Sequence, residues 1–454
     1  MIKEEFKKYL TEAIGEERAL VAFAAFDEPA SVSVRMNPFK PCPEPEDGRP
    51  VKWNRHGRVL GHRPVFTLDP HFHGGAYYVQ DSSSMFVGHL FREMLSCVRM
   101  PADRPVRVLD LCAAPGGKST DIAASLREVF GDRFILVTNE VMKQRVGILA
   151  DNMALWGDPN VVVTSDDPAA FGKLPGFFDI VVADVPCSGE GMFRKDEEAQ
   201  KQWSEDNVAL CEARQRRIVA DVWPSLRQGG LFIYSTCTFN VRENDGNVQW
   251  IAMELGAGHL SGTEGNAAEG VIETRHGFSL VPGFVEGEGQ YCAALAKTSE
   301  AETPRQKAKT DKKGKTALPA GLDRFFSRKM EFRMRGDMII AVPENIVSEV
   351  AAVEAALHVI ASGCAVGTLK GRDLVPDADL ALNIALEQDA FPSADVDRST
   401  ALSYLHRDAI VLPDAEKGFV LVRHEGLPLG FVKNLGNRCN SLHPQSRRIR
   451  MNIR

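Results

Sequence analysis

Between Val106 and Cys237 the chain repeats one texture five times: a short run of large apolar residues, polar only at its carboxyl end, then a longer stretch with helical spacing. The runs are VRVLDLCA, RFILVTNE, NVVVTSDD, FDIVVADVP and GGLFIYSTC. Strands with one wet face alternate apolar and polar residues, whereas strands of a parallel sheet covered by helices on both sides are apolar throughout. The spacing therefore predicts a doubly wound, Rossmann-like α/β core over residues 101–298. One more run, QYCAALAK from Gln290 to Lys297, follows a Gly-rich turn and is expected to close the sheet antiparallel.

The flanks differ. Residues 1–100 mix helical spacing with the turn-rich NPFKPCPEPEDGRPVKWNRHGR, in which Pro and Gly interrupt every period, so an α+β extension is expected. Residues 299–318 hold six basic side chains and almost no large apolar ones, the composition of a solvated linker. Residues 319–454 form a further globular region. From Gly418 to Arg454 it carries seven Lys and Arg against one acid, Glu425, a local charge of +6 that suits a phosphate-facing surface. The whole chain of 454 residues has a net charge of −7, so any contact with nucleic acid has to come from such a local patch. At 44% hydrophobic it can build two or three cores, and a small stapled scaffold is excluded.

Nine cysteines, none at Cys-x-x-Cys spacing, fit a reducing cytoplasm better than a disulfide framework. The amino terminus MIKEEFKKYLTEAIG reads as an amphipathic helix and not as a secretory signal, and no apolar run approaches the ~18 residues of a membrane span. His71 and His73 lie close in sequence, but the only nearby acid is Asp69 and no further ligand is spaced for a metal, so none is expected.

Chemistry concentrates at the strand ends. LDLCAAPGGKST, Leu109 to Thr120, follows the first strand and opens a helix, which lets backbone approach a ligand at a helix amino terminus. A Walker A loop would need Gly where Cys112 stands, and G-x-G-x-x-G is absent. A Gly-rich turn after the first strand also serves methyltransferases that bind S-adenosylmethionine, whose methionine part lies against it. Its ribose and adenine want acids at later strand ends, and Glu140, Asp166, Asp167 and Asp184 stand there. Cys187 follows the fourth strand and Cys237 the fifth. Neighbouring strands lie about 4.8 Å apart, so both thiols are expected at one pocket. A thiolate added across C6 of cytosine activates C5 toward a methyl group, after which the C5 proton must leave. One thiol can attack and the other can aid release, with Asp184 placed to hydrogen bond the ring.

DLCAAPGGKS, ADVPCSGEGMFRKD and YSTCTFNVREN closely resemble motifs of the RNA 5-methylcytosine methyltransferases of the NOL/NOP/Sun type, in particular the bacterial RsmF branch that modifies small-subunit ribosomal RNA. The likeness extends to SVSVRMNPFK and YYVQDSSSM, and to VGTLKGRDL with GFVLVRHEGLPLGFVKNLGNRCNSLHP, which is similar to a PUA-like RNA-binding module. The resemblance implies Cys237 as nucleophile, Cys187 as the thiol of product release, and a catalytic Asp184 supported by Lys118. It implies cofactor contacts from Cys112, Ala113, Ala114, Pro115, Gly116, Gly117, Lys118, Glu140 and Asp184, with either Asp166 or Asp167 on the adenine side.

The implied enzyme is a cytoplasmic monomer acting on structured RNA, 16S ribosomal RNA in the small subunit, with an RNA-binding extension and a PUA-like module. A transfer-RNA or large-subunit target, or a ribosome-assembly factor without turnover, are the alternatives. Arg35, Arg194 and Lys195 are read as phosphate contacts. Two positions depart from the family: Val185 stands where Ala is usual and is expected to narrow the pocket, and Gly283 stands where a His is common, which bears on target recognition if that side chain touches RNA.

Overall fold

The computed structural model describes residues 2–260, 269–300, 318–371 and 373–453. The stretch 261–268 and most of the expected linker, 301–317, lie outside the described residues.

Helices α1 (Glu4–Ile14) and α2 (Glu16–Phe26) open the chain, separated by Gly15 at φ +86°. Phe6, Leu10 and Ile14 recur four residues apart on one buried face of α1. That face meets Phe193, Trp203 and Phe239, with Phe6 edge-on to Phe193 and Trp203. Each buried ring is worth about 1.5–3 kcal/mol, so the amino-terminal helices are fastened onto the segments that follow the two candidate cysteines. Strands β1 (Val32–Met36), β2 (Arg49–Val51) and β3 (Asn54–Leu60), helix α3 (Pro70–His73) and strand β4 (Tyr77–Val79) complete the extension as a sheet of order β2-β3-β1-β4. Helix α4 (Phe86–Met94) leads into the core.

The core alternates β5 (Val106–Asp110), α5 (Gly117–Phe130), β6 (Phe134–Asn139), α6 (Lys143–Trp156), β7 (Val161–Thr164), β8 (Phe178–Asp184), α7 (Glu197–Gln202), α8 (Glu205–Val222) and β9 (Leu226–Thr236). Helix α9 (Asp245–Glu254) and strands β10 (Ala257–His259), β11 (Ile272–Glu273), β12 (Phe278–Leu280) and β13 (Gln290–Lys297) follow. The five predicted runs are β5 to β9, all mutually parallel where they pair, and β13 runs antiparallel to β9 as expected. The order β9-β8-β5-β6-β7 leaves β5 with connections departing on both sides. A crevice opens at such a switch point beyond the carboxyl ends of the strands.

The region after residue 318 folds as β14 (Met330–Arg335), β15 (Met338–Pro343), α10 (Val347–Ala356), β16 (Val359–Ser362), β17 (Cys364–Lys370), β18 (Asp373–Pro376) and α11 (Ala378–Leu382). The basic module then adds β19 (Ser393–Asp395), α12 (Arg398–His406), β20 (Gly418–His424), β21 (Leu427–Asn434) and β22 (Cys439–Ser441), its strands ordered β19-β20-β21-β22. The packing departs from the sequence-based boundary in one respect. Strand β16 leaves its neighbours and pairs antiparallel with β7, so a segment from beyond the linker forms one edge of the ten-stranded core sheet. Ile346, Val350 and Val353 are fully buried in the same apolar cluster as Leu109, Val137 and Val181.

Candidate functional site

Four strand ends build the site. After β5 the chain turns through Cys112 to Gly116, and Gly116, at φ +114°, begins α5 with no side chain capping the helix. The turn is held from behind: Ala113 N–H donates to the Asn139 carbonyl at 2.8 Å, Asn152 Nδ2 donates to the Pro115 carbonyl at 2.8 Å, and Arg145 donates to that of Ala114 at 2.6 Å. The first N–H groups of α5 thus face the crevice without a capping side chain, a setting that receives a carboxylate.

Acids surround the same space. Glu140, at the end of β6, is buried and accepts from Met142 N–H at 2.8 Å. Asp110 lies at the end of β5, fully buried. Its Oδ2 accepts from Ser119 Oγ at 2.6 Å, while Oδ1 has no partner among the described residues. Burial pushes the Asp110 carboxyl up to about 7 against the Ser119 hydrogen bond, and Asp184 adds to the rise. A sulfonium bearing an amino acid and an adenosine suits these groups: uncapped N–H donors for its carboxylate, and carboxylates for its cationic sulfur and its hydroxyls.

The two adjacent aspartates part company. Asp166 Oδ2 accepts the His358 N–H at 2.7 Å, beside the edge strand β16 and away from β5. Asp167 caps the 3-10 turn Pro168–Lys173 through the Ala169 N–H at 3.1 Å.

Strands β8 and β9 are parallel neighbours, and they end with Cys187 Sγ and Cys237 Sγ 3.2 Å apart. That exceeds the ~2.05 Å of a disulfide, and both are free thiols. Lys118 Nζ lies 2.9 Å from Asp184 Oδ2. Asp184 Oδ1 accepts from Ser235 Oγ at 2.7 Å and Gln290 Nε2 at 3.2 Å, so its carboxylate is fixed from β9 and β13. Burial opposes the Lys118 charge, but the pairing with Asp184, helped by Cys237 and Asp110, outweighs it and raises the lysine's pKa. The Cys187 thiol is pushed well up by its hydrogen bond with Cys237, then by burial and by the charges of Cys237, Glu243 and Asp184.

Two buried carboxylates hold the cysteine loops together. Glu190, three residues after Cys187, accepts the N–H groups of Phe239 at 2.7 Å and Asn240 at 3.2 Å, beyond Cys237. Glu243, six residues after Cys237, accepts the Ser188 N–H at 3.0 Å, beside Cys187. Asn240 Nδ2 bridges both, at 2.9 Å from Glu190 and 2.8 Å from Glu243. Each loop therefore supplies the acid that orders the other. Burial pushes the Glu243 carboxyl up to about 7 against hydrogen bonds from Ser188 and Asn240, with the charge of Glu190 adding to the rise. Neither glutamate, nor Gln290, nor Asp110 stood out in the sequence. For the two glutamates the one available signal was their place in the loops immediately after the cysteines; Gln290 and Asp110, at the ends of β13 and β5, carried none.

Several expectations are corrected. Arg35 is 1% exposed, donates to Gln80 Oε1 at 2.8 Å and to the Gly117 carbonyl at 3.1 Å, and stacks over Trp156, so it ties the extension to α5 and meets no phosphate. Arg194 is likewise turned inward, to the carbonyls of Glu28, Pro29 and Gly287 and to Glu288 at 3.6 Å. Lys195 keeps a third of its side chain exposed. Val185 is buried in the apolar cluster that also holds Leu111 and Tyr234, with Cys112 packed against it. Gly283, at φ +92°, faces α2, where a β-carbon would lie 3.1 Å from the Val21 carbonyl and 3.2 Å from Ala25, so this position belongs to packing against the extension. His73 Nε2 donates to the Thr67 carbonyl at 2.9 Å, whereas His71 meets His424 and Glu425 of the basic module, partners more than 350 residues away in sequence.

Comparison with known proteins agrees with this geometry. Residues 99–296 match the family model for 16S rRNA methyltransferase RsmB/F, residues 2–82 that for the N-terminal domain of 16S rRNA methyltransferase RsmF, and residues 391–449 that for the methyltransferase RsmF PUA domain. The chain is 30% identical to ribosomal RNA small subunit methyltransferase F of Enterobacter sp. (strain 638), over 97% of this chain and 95% of that relative. The chain belongs to the ribosomal RNA small subunit methyltransferase F family. A protein of the same description from Shewanella loihica is also 30% identical, over 90% and 83% of the two chains. The methyl donor of this family member is S-adenosylmethionine.

Solved structures share the fold: a methyltransferase homolog protein from Pyrococcus horikoshii (TM-score 0.53, 24% identity, 65% of this chain and 95% of that one) and NSun6 from Pyrococcus horikoshii with SFG (TM-score 0.51, 17% identity, 66% and 99%). Among the described residues no helix is long and apolar enough to cross a membrane.

Proposed function

We propose that the chain is a cytoplasmic RNA cytosine-C5 methyltransferase acting on small-subunit ribosomal RNA, with Cys237 as nucleophile and Cys187 as the thiol of release. The observation that carries this reading is the pair of sulfurs 3.2 Å apart beside the Lys118–Asp184 ion pair. S-adenosylmethionine supplies an electrophilic methyl group to the nucleophilic C5.

A target cytosine has to be turned out of a helix, or come from a loop, to expose the face of its ring. Cys237 as thiolate forms an S–C6 bond, and the ring electrons move to C5, with Asp184 hydrogen bonding the N3/N4 edge. The Lys118 ammonium pairs with Asp184 at 2.9 Å and also feels the charge of Cys237, which suits it to balance negative charge at both. Once C5 carries the methyl group, its proton passes to a base that Cys187 supplies or positions, the S–C6 bond breaks, and the ring regains its double bond with Cys237 free. The uncapped turn 112–118 and Glu140 hold the donor. The adenine side falls to Asp166 or Asp167, each of which already accepts one backbone N–H, from His358 and Ala169 respectively.

The test uses purified small subunits, tRNA and labelled cofactor. Methyl incorporation into small-subunit RNA at cytosine C5 is expected. Label confined to tRNA, or none from an intact protein, would refute the reading.

A further inference from the structure

His71 in α3, His424 at the end of β20 and Glu425 in the turn after it each offer one ligand atom, and these atoms all lie within 4.8 Å of one another. Both imidazoles are buried, and both already have Nδ1 engaged. His71 Nδ1 lies 3.2 Å from Asp69 Oδ1, and Asp69 is itself fixed by the Tyr77 hydroxyl at 2.7 Å. His424 Nδ1 donates to the Val396 carbonyl at 2.8 Å. In each ring Nε2 is the nitrogen left for a metal. Metal-binding histidines characteristically carry this second hydrogen bond, which fixes tautomer and ring direction.

The carboxylate is also placed in advance. Glu425 Oε2 stands 3.4 Å from His71 Nε2. Its backbone takes φ +50°, unusual for a residue other than Gly, Asn or Asp. Asp395 holds the turn there by accepting the N–H groups of Glu425 at 3.0 Å and Gly426 at 2.7 Å. Glu425 remains half exposed, which leaves an open side for water as a further ligand.

We propose that His71, His424 and Glu425 bind a divalent transition ion of the zinc type, through two imidazole nitrogens and one carboxylate. The donor set is of intermediate softness, suited to Zn2+ rather than to Mg2+ or Ca2+. Because His71 belongs to the amino-terminal extension and the other two to the basic module, the ion staples together the two parts that flank the catalytic core. The site is independent of the reaction assigned above.

The experiment takes the full chain, stripped with a chelator, and titrates it with Zn2+ by calorimetry and metal analysis. Wild type is expected to bind one more equivalent than the His71→Gln/His424→Gln variant, with Glu425→Gln weakening that equivalent at least ten-fold and His73→Gln leaving it unchanged. Equal stoichiometry and affinity in wild type and the double variant would overturn the site. X-ray absorption of zinc-loaded wild type decides the matter even if the variants fold poorly. Imidazole scattering with N/O distances of about 2.0–2.1 Å supports the proposal, and a sulfur-dominated shell overturns it.

Discussion

The loop after β8 and the loop after β9 start alike, each ending a buried parallel strand with a cysteine, yet they surround their thiols differently. The Cys187 thiol is pushed well up by its hydrogen bond with Cys237, by burial and by the charges of Cys237, Glu243 and Asp184, whereas Lys118, paired with Asp184, takes part of its own rise from Cys237. A cation beside a thiolate favours nucleophilic attack, whereas a thiol held protonated serves release by positioning the base that takes the C5 proton. The proposed roles of the two cysteines rest on this difference, although the loops are braced reciprocally by Glu190 and Glu243.

The strongest way to break this contrast is to remove the thiols one at a time. Cys237→Ala is expected to lose methyl transfer altogether in a labelled-cofactor assay. Cys187→Ala should methylate once and remain on the RNA as a complex stable in denaturing gels. A stable complex formed by the Cys237 variant instead would reverse the assignment.

Next in size is the brace. Glu190→Gln turns an amide toward backbone N–H groups that now meet a carboxylate, and losing such buried hydrogen bonds costs about 2–4 kcal/mol. Calorimetry should show a fall in Tm of several degrees, and turnover should drop because both loops lose register. An unchanged Tm would show that the loops stand without each other.

A smaller effect follows from pH. Glu243 and Asp110 each have a folded-state pKa of about 7, above the ordinary carboxyl values of 4.5 and 3.8. Over that interval the unfolded chain releases protons that the folded chain retains, so stability present at low pH declines as pH rises from about 4 through about 7. Asp110→Asn and Glu243→Gln should each flatten the slope of Tm against pH in this window. Steeper slopes in these variants would contradict the assignment.

The smallest effect concerns Lys195 in the Cys187 loop, whose side chain is one third exposed and whose ammonium lies 3.8 Å from Asp81. Lys195→Ala is expected to weaken RNA binding a few-fold and to reduce the salt dependence by roughly one charge, whereas the Arg35→Met variant should act on stability.

The core was readable because burial on both faces of a sheet leaves a local mark: β5 to β9 and β13 coincide with apolar runs, and Cys187 and Cys237 meet because their strands are neighbours. Long-range polar partnerships leave no such mark. Glu190 and Glu243 look in sequence like any loop acids, and Arg35 reads as a surface cation until Gln80, Thr120 and Trp156 close around it. His71 finds its companions only when the two ends of the chain are folded together.

Strand β16 has a consequence for how this protein is made. The outer rim of the catalytic sheet stays bare until Val359–Ser362 has been synthesised, well after every catalytic residue has emerged. Unpaired strand rims recruit other chains, so a fragment ending near residue 298 is expected to aggregate. On this account a strand from beyond the linker shields the nascent core once it is made.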